Sequence, residues 1–165
     1  MMKRLNAQLL AAVPPARLFT IFAFAEMVTW AGLITAMVVK YTGVSDAFVP
    51  IAGGIHGFVF LCYSVTTVFV WVNQSWPAKR GVVGLLSAII PFATVPFEHS
   101  MKKNGHLEGE WRLAPGKDTP HGFIENVQAW VLRNLSIAIV LGIILITIIF
   151  VVLLNLGSPI PVSSP

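Results

Sequence analysis

RLFTIFAFAEMVTWAGLITAMVVK, residues 17–40, is the stretch on which the fold turns, because Leu18 to Val39 form one apolar run between the cations Arg17 and Lys40. About 20 helical residues cross a hydrocarbon core of about 30 Å, so this run is long enough to span one. It is not alone. A second run starts at Val49, tolerates Pro50 in its first turn where a missing donor costs nothing, and reaches Trp71 or Val72. Leu135 to Leu156 is almost pure Ile, Leu and Val, broken only by Ser136, Gly142 and Thr147, and can face lipid all round.

A fourth apolar stretch, Arg80 to Phe97, is shorter and carries Pro91 and Pro96. Each proline removes a backbone donor and clashes with the preceding turn, so the segment either crosses with a kink or dips in and returns. The whole chain of 165 residues is 56% hydrophobic and 11% charged, against about a quarter charged in globular proteins. An all-α integral membrane protein is therefore predicted, with about four crossings. Its three-helix core has a kinked third segment, and a C-terminal fourth transmembrane helix is added to it.

Five segments follow from this pattern: an interfacial lead-in over 1–16, a membrane core over 17–97, and a polar loop with an amphipathic approach helix over 98–133. A transmembrane anchor over 134–156 and a flexible Pro/Ser-rich tail over 157–165 complete the chain. Leu9 to Val13 is too short for a signal-peptide core, so the lead-in is expected to stay uncleaved. The single cysteine, Cys62, excludes an internal disulfide.

The net charge of +4 is spread over the borders of the apolar runs, which anchors helices to headgroups and argues against a nucleic-acid partner. With four crossings, Lys3, Arg4, Arg17, Lys79 and Arg80 oppose Lys40, Lys102, Lys103, Arg112, Lys117 and Arg133, and no orientation emerges. If the third segment re-enters, every cation except Lys40 shares one face.

Ionisable groups inside lipid cost several kcal/mol unless paired or hydrated, which singles out Glu26 and His56. Glu26 lies about 12 Å into the first span. His56, Phe60, Tyr63 and Thr67 form one stripe on the second span, and antiparallel geometry puts Tyr63 near the depth of Glu26. A Glu26–Tyr63 hydrogen bond is expected, with His56 donating to the Ser87 carbonyl that Pro91 leaves free. In that reading these groups knit helices together; the competing reading is a proton-carrying pair or ligand site. Gly32 with Ala36, Gly53 with Gly57, and Gly84 with Ala88 have the small-xxx-small spacing that lets helices approach closely.

No second histidine lies within an apolar run to complete a bis-histidine haem site with His56. Glu98, His99, His106, Glu108, Glu110 and His121 are nitrogen and oxygen ligand types, but their spacing matches no closed metal site, so a solvated loop is expected and no metal or other cofactor is assigned. Phosphate-cradling glycine loops, serine elbows and zinc-helix signatures do not occur. The lack of repeated broken-helix halves argues against an autonomous transporter.

Ala25-Glu26 and Trp30-Ala31-Gly32, then Gly54-Ile55-His56-Gly57 with Phe60 and Tyr63, then Ile90-Pro91-Phe92 and Pro96-Phe97-Glu98, recur in order. Together they resemble the small bacterial membrane proteins called domain of unknown function 3817, over roughly residues 17–103. The resemblance implies a three-span fold, often actinobacterial, and makes Glu26, His56 and Glu98 core members of the motif. It implies no activity. With an added loop and anchor, a non-catalytic accessory or assembly subunit of a larger inner-membrane complex is expected, a respiratory cytochrome supercomplex being one setting. Its partners would be membrane lipids and larger subunits. A small transporter, channel or ligand sensor built on Glu26 and His56 is the alternative, and a lipid- or quinone-directed enzyme using Glu98, His99 or His56 is the third.

Overall fold

The computed structural model describes residues 2–156, and the expected tail over 157–165 lies outside them. Seven helices make up the described residues: α1 (Met2–Ala12), α2 (Pro15–Tyr41), α3 (Phe48–Asn73), α4 (Ala78–Ser87), α5 (Thr94–Lys103), α6 (Gly122–Arg133) and α7 (Leu135–Asn155). Three of them, α2, α3 and α7, are long and apolar enough to cross a membrane. The fold is thus an all-helical integral membrane protein with three full-length spans among the described residues, one fewer than the four expected.

The missing crossing is the proline-bearing third segment, which folds as two ten-residue helices instead of one kinked span. Each is about 15 Å long, half the depth of a hydrocarbon core. The prolines punctuate the segment and do not bend a helix. Pro91 lies in the turn after Ser87, beside Phe92, whose φ of 65° is left-handed. Pro96 falls in the first turn of α5, where backbone N–H groups have no helical partner in any case.

The hairpin returns to the end from which it entered. Trp76, in the turn before α4, donates its indole N–H to the His106 carbonyl just after α5, at 2.9 Å. Lys102, near the end of α5, lies 3.4 Å from Thr20 in the first turns of α2. Loop 104–121 and α6 then stay on this end, and α7 leaves from it. Phe150 of α7 comes within 3.3 Å of the position a Cβ on Gly54 would take, so α7 passes the opposite half of α3.

Cations follow this topology. Of the eleven lysines and arginines, Lys3, Arg4, Arg17, Lys79, Arg80, Lys102, Lys103, Arg112, Lys117 and Arg133 belong to segments at one end, and Lys40 alone is at the other.

Packing is densest where the hairpin meets α2 and α3. Phe19, Ala23, Tyr63, Val70, Trp76, Ala88, Met101 and Leu107 form the buried cluster. Phe19 sits at its centre, 5.6 Å from the Tyr63 ring and 6.0 Å, edge-on, from Trp76. A second cluster, Trp111, Leu113, Ala129 and Leu132, lies under the loop and α6. By contrast, no residue of the Leu135–Val152 stretch of α7 is buried.

The polar loop is not simply solvated. Trp111 donates to the Val13 carbonyl at 2.8 Å, and Asn73 bonds both the Glu110 carbonyl and the Arg112 N–H. The Arg112 guanidinium reaches the Asn73 and Val72 carbonyls and pairs with Glu125 of α6 at 2.5 Å. These bonds also satisfy carbonyls at the end of α3 that the helix itself leaves free.

Close-approach glycines differ from the expected set. A Cβ on Gly32 or Gly57 would meet nothing within 4 Å, and one on Gly53 would only touch Leu33 at 3.9 Å, so their spacing does not reflect tight contact. Gly84 does approach closely, with Thr67 at 3.0 Å and Phe97 at 3.1 Å. The tightest position is Gly81, not singled out from sequence: a Cβ there would fall 2.0 Å from the Trp71 indole.

Candidate functional site

The feature least explained by packing is the Glu26 carboxyl. It projects from the middle of α2 and is 0% exposed, and neither of its oxygens has a hydrogen-bond partner among the described residues. An unpaired buried polar group costs about 1–3 kcal/mol, and an ionised one more. The nearest group able to carry positive charge is His56 of α3, whose Nδ1 lies 3.8 Å from Glu26 Oε2. That distance is beyond a hydrogen bond but within ion-pair range.

Thr29, one turn along α2, organises the pair. Its hydroxyl donates to the Glu26 carbonyl at 3.0 Å and sits 3.2 Å from His56 Nδ1. Which of the two donates in that contact is set by the ring tautomer: Nδ1 donates when it carries the proton and accepts when Nε2 does. Trp30 covers the imidazole with ring centroids 4.5 Å apart, and Phe60 lies 6.5 Å away.

An acid and an imidazole so placed can hold one proton between them. Neutral acid with neutral imidazole, and carboxylate with imidazolium, both carry zero net charge. Such an arrangement can store a proton or accept a hydrogen-bonding ligand; it contains no nucleophile activated for covalent chemistry.

Tyr63 does not join it, which corrects the expected Glu26–Tyr63 bond. The Tyr63 hydroxyl lies 2.9 Å from Ser87 Oγ and 3.2 Å from the Gly84 carbonyl, both in α4. His56 likewise does not reach the Ser87 carbonyl. The hairpin apex is held instead by Trp30, whose indole N–H donates to the Ala88 carbonyl at 3.0 Å, and by Thr94, whose hydroxyl donates to the Ala23 carbonyl at 2.8 Å.

Glu98 is buried on α5 in a separate cluster near the cation-rich end. Thr20 donates to its carboxylate, and Lys102 one turn later approaches it at 3.3 Å. Glu98 and His56 therefore do not line one pocket, and His99 is exposed. Among the described residues no three of His, Cys, Asp and Glu come together as a metal-binding group. Thr20 and Thr94 were missed from sequence, since their partners lie tens of residues away along the chain, whereas Lys102 stands at the i,i+4 spacing from Glu98 that sequence alone could have offered.

Residues 16–103 match the protein family described as a domain of unknown function (DUF3817). A Streptomyces coelicolor protein named as a membrane protein is 38% identical over 93 residues, which are 55% of this chain and 11% of that protein. YdzA, an uncharacterized membrane protein of Bacillus subtilis, is 27% identical over 70 residues, 42% of this chain and 73% of its own length. This chain thus spans only a small part of the Streptomyces protein that it matches. No solved structure matches the chain. The matched region runs from the start of α2 to the end of α5, so it takes in the two antiparallel spans, the returning hairpin and the Glu26–His56 pair; the chain belongs to the DUF3817 family of membrane proteins.

Proposed function

We propose that this chain is a non-catalytic accessory module of a larger bacterial membrane assembly, seated in the cell membrane with its cation-rich end in the cytoplasm. The observation that carries this reading is the Streptomyces relative, in which the similar stretch makes up 11% of a much longer protein. A module that works as a small part of a longer membrane protein is suited to work beside other subunits as a separate chain. The unburied α7 supports the reading, because most of its apolar surface is not used by the chain's own core. So does the outer face of α6, where Phe123 and Ile124 are exposed next to an apolar groove formed with Val68 and Val72 of α3. The positive-inside rule supplies the orientation. A respiratory cytochrome supercomplex is the proposed setting.

The test is extraction from the native membrane in mild detergent. Stoichiometric co-purification of larger subunits, with a haem absorption spectrum if the assembly is respiratory, is the expected result. Elution as a stable species without partners would overturn the proposal.

A second reading rests on Glu26. A fully buried acid with no hydrogen-bond partner beside a histidine is the composition of a proton-linked sensor or small transporter. Glu26→Gln keeps the shape and removes the proton. On this reading it abolishes a pH-dependent response in vesicles while assembly and thermal stability are retained; loss of folding instead would assign Glu26 to helix packing.

A further inference from the structure

At the cation-rich end, α1, the loop and the α6–α7 junction enclose a cavity of about 630 Å³. Its size is that of a small-molecule site, typically about 300–1,000 Å³. Its walls are bonded to one another. Asn6 of α1 donates to the Arg133 carbonyl at 3.2 Å and accepts from Ser136 of α7 at 3.4 Å, and Trp111 fixes the loop to the Val13 carbonyl.

The lining is two-sided. Leu10, Trp111 and Pro115 give an apolar wall, while Arg133, Lys117 and Glu110 supply its charged groups. Arg133 makes no ion pair among the described residues. Lys117 is engaged by Glu110. An anion alone would satisfy the guanidinium and leave the apolar wall wet; a neutral chain would do the reverse. A ligand with both parts, at headgroup depth on the side where anionic lipids attract basic residues, meets both demands.

We propose that this cavity is a binding site for an anionic phospholipid, its phosphate taken by Arg133 and Lys117 and one acyl chain laid along Leu10 and Trp111. Glu110 then acts as a competitor, because it occupies Lys117 when the phosphate is absent. The proposal rests on the cytoplasmic orientation proposed above, but not on whether the chain works in a larger assembly.

Native mass spectrometry of the full chain, delipidated in mild detergent and titrated with phosphatidylglycerol, phosphatidylcholine or inorganic phosphate, provides the test. Phosphatidylglycerol is expected to bind about tenfold more tightly than phosphatidylcholine, and Arg133→Ala to lose about that factor, as removal of a charge-assisted hydrogen bond implies. Glu110→Gln frees Lys117 and should tighten phosphatidylglycerol binding; because Glu110 is exposed, this variant tests the site even if Arg133→Ala misfolds. Equal binding of the two lipids overturns the proposal, as does an unchanged affinity in both variants. Inorganic phosphate binding as tightly as phosphatidylglycerol would show an anion site without a chain subsite. Recovery of a partner's polypeptide segment in place of lipid would show a protein interface. Either result also overturns the proposal.

Discussion

Replacing Gly81 with alanine adds one methyl group at the point where α4 passes closest to α3, and the structure fixes what that methyl meets. It would lie 2.0 to 2.3 Å from Cδ2, Cε3 and Cε2 of Trp71, the fused centre of a rigid ring system. The indole cannot move aside freely, because its N–H donates to the Trp76 carbonyl at 2.9 Å. Overpacking of this kind costs about 1–3 kcal/mol. Losing the indole hydrogen bond adds about 0.6 kcal/mol, the average for such bonds in a membrane protein. Removing a glycine from a helix returns about 0.5–1 kcal/mol. The net expectation is a destabilisation of about 1–3 kcal/mol. Gly57→Ala, where nothing lies within 4 Å, is the internal control and should be neutral or mildly stabilising. Denaturant titration in detergent, followed by tryptophan fluorescence, measures both. If Gly81→Ala matches the wild type, or if Gly57→Ala is equally destabilised, the packing of the hairpin against α3 is not as described.

Topology gives a second prediction: in a Cys62→Ala background, Lys79→Cys and Lys103→Cys should be labelled by an impermeant thiol reagent from the same side of sealed vesicles, and Ser45→Cys from the other. Labelling of positions 79 and 103 from opposite sides would mean that the third segment crosses. A third concerns acid stability outside the membrane. Arg112, then the His121 N–H, hold the Glu125 carboxyl below the usual carboxylate range. A depressed folded value means that the contribution of Glu125 is present above the ordinary carboxylate pKa of about 4.3 and is lost as pH falls through the folded value. Limited proteolysis should therefore show α6 released below about pH 4 in the wild type, and Glu125→Gln should remove most of that pH dependence.

The spans were legible because hydrophobic run length is a direct requirement of the bilayer: Leu18–Val39 and the run from Val49 needed only their bracketing polar residues to be placed. Depth was less legible: Glu26 lies beside His56, and Tyr63 packs on Phe19, two turns nearer the cation-rich end than the antiparallel arithmetic placed it. What depth arithmetic cannot supply is which neighbour fills the space beside a residue. His56 and Tyr63 occupy one stripe, yet the hairpin extends only part of the way along it, so Tyr63 faces α4 while His56 faces α2. Glycine spacing found Gly84 but not Gly81, and it misplaced Gly32, Gly53 and Gly57, for a similar reason. It specifies that a helix face is flat, but close approach at Gly81 and Gly84 depends on large rings, Trp71 and Phe97, arriving from other segments. Thr20 beside Glu98, and the α3 carbonyls that Arg112 reaches, were invisible because they are set by tertiary return of the chain and not by local period.

A half-depth hairpin has a geometric result for the lipids around it. Over the depth of the hairpin the chain is five helices wide, α2, α3, α4, α5 and α7, whereas beyond the Phe92 turn only α2, α3 and α7 continue. The body is a wedge, so a planar bilayer must recruit extra acyl chains beneath the Phe92 turn, and membranes already curved toward the narrow end accommodate it with less deformation.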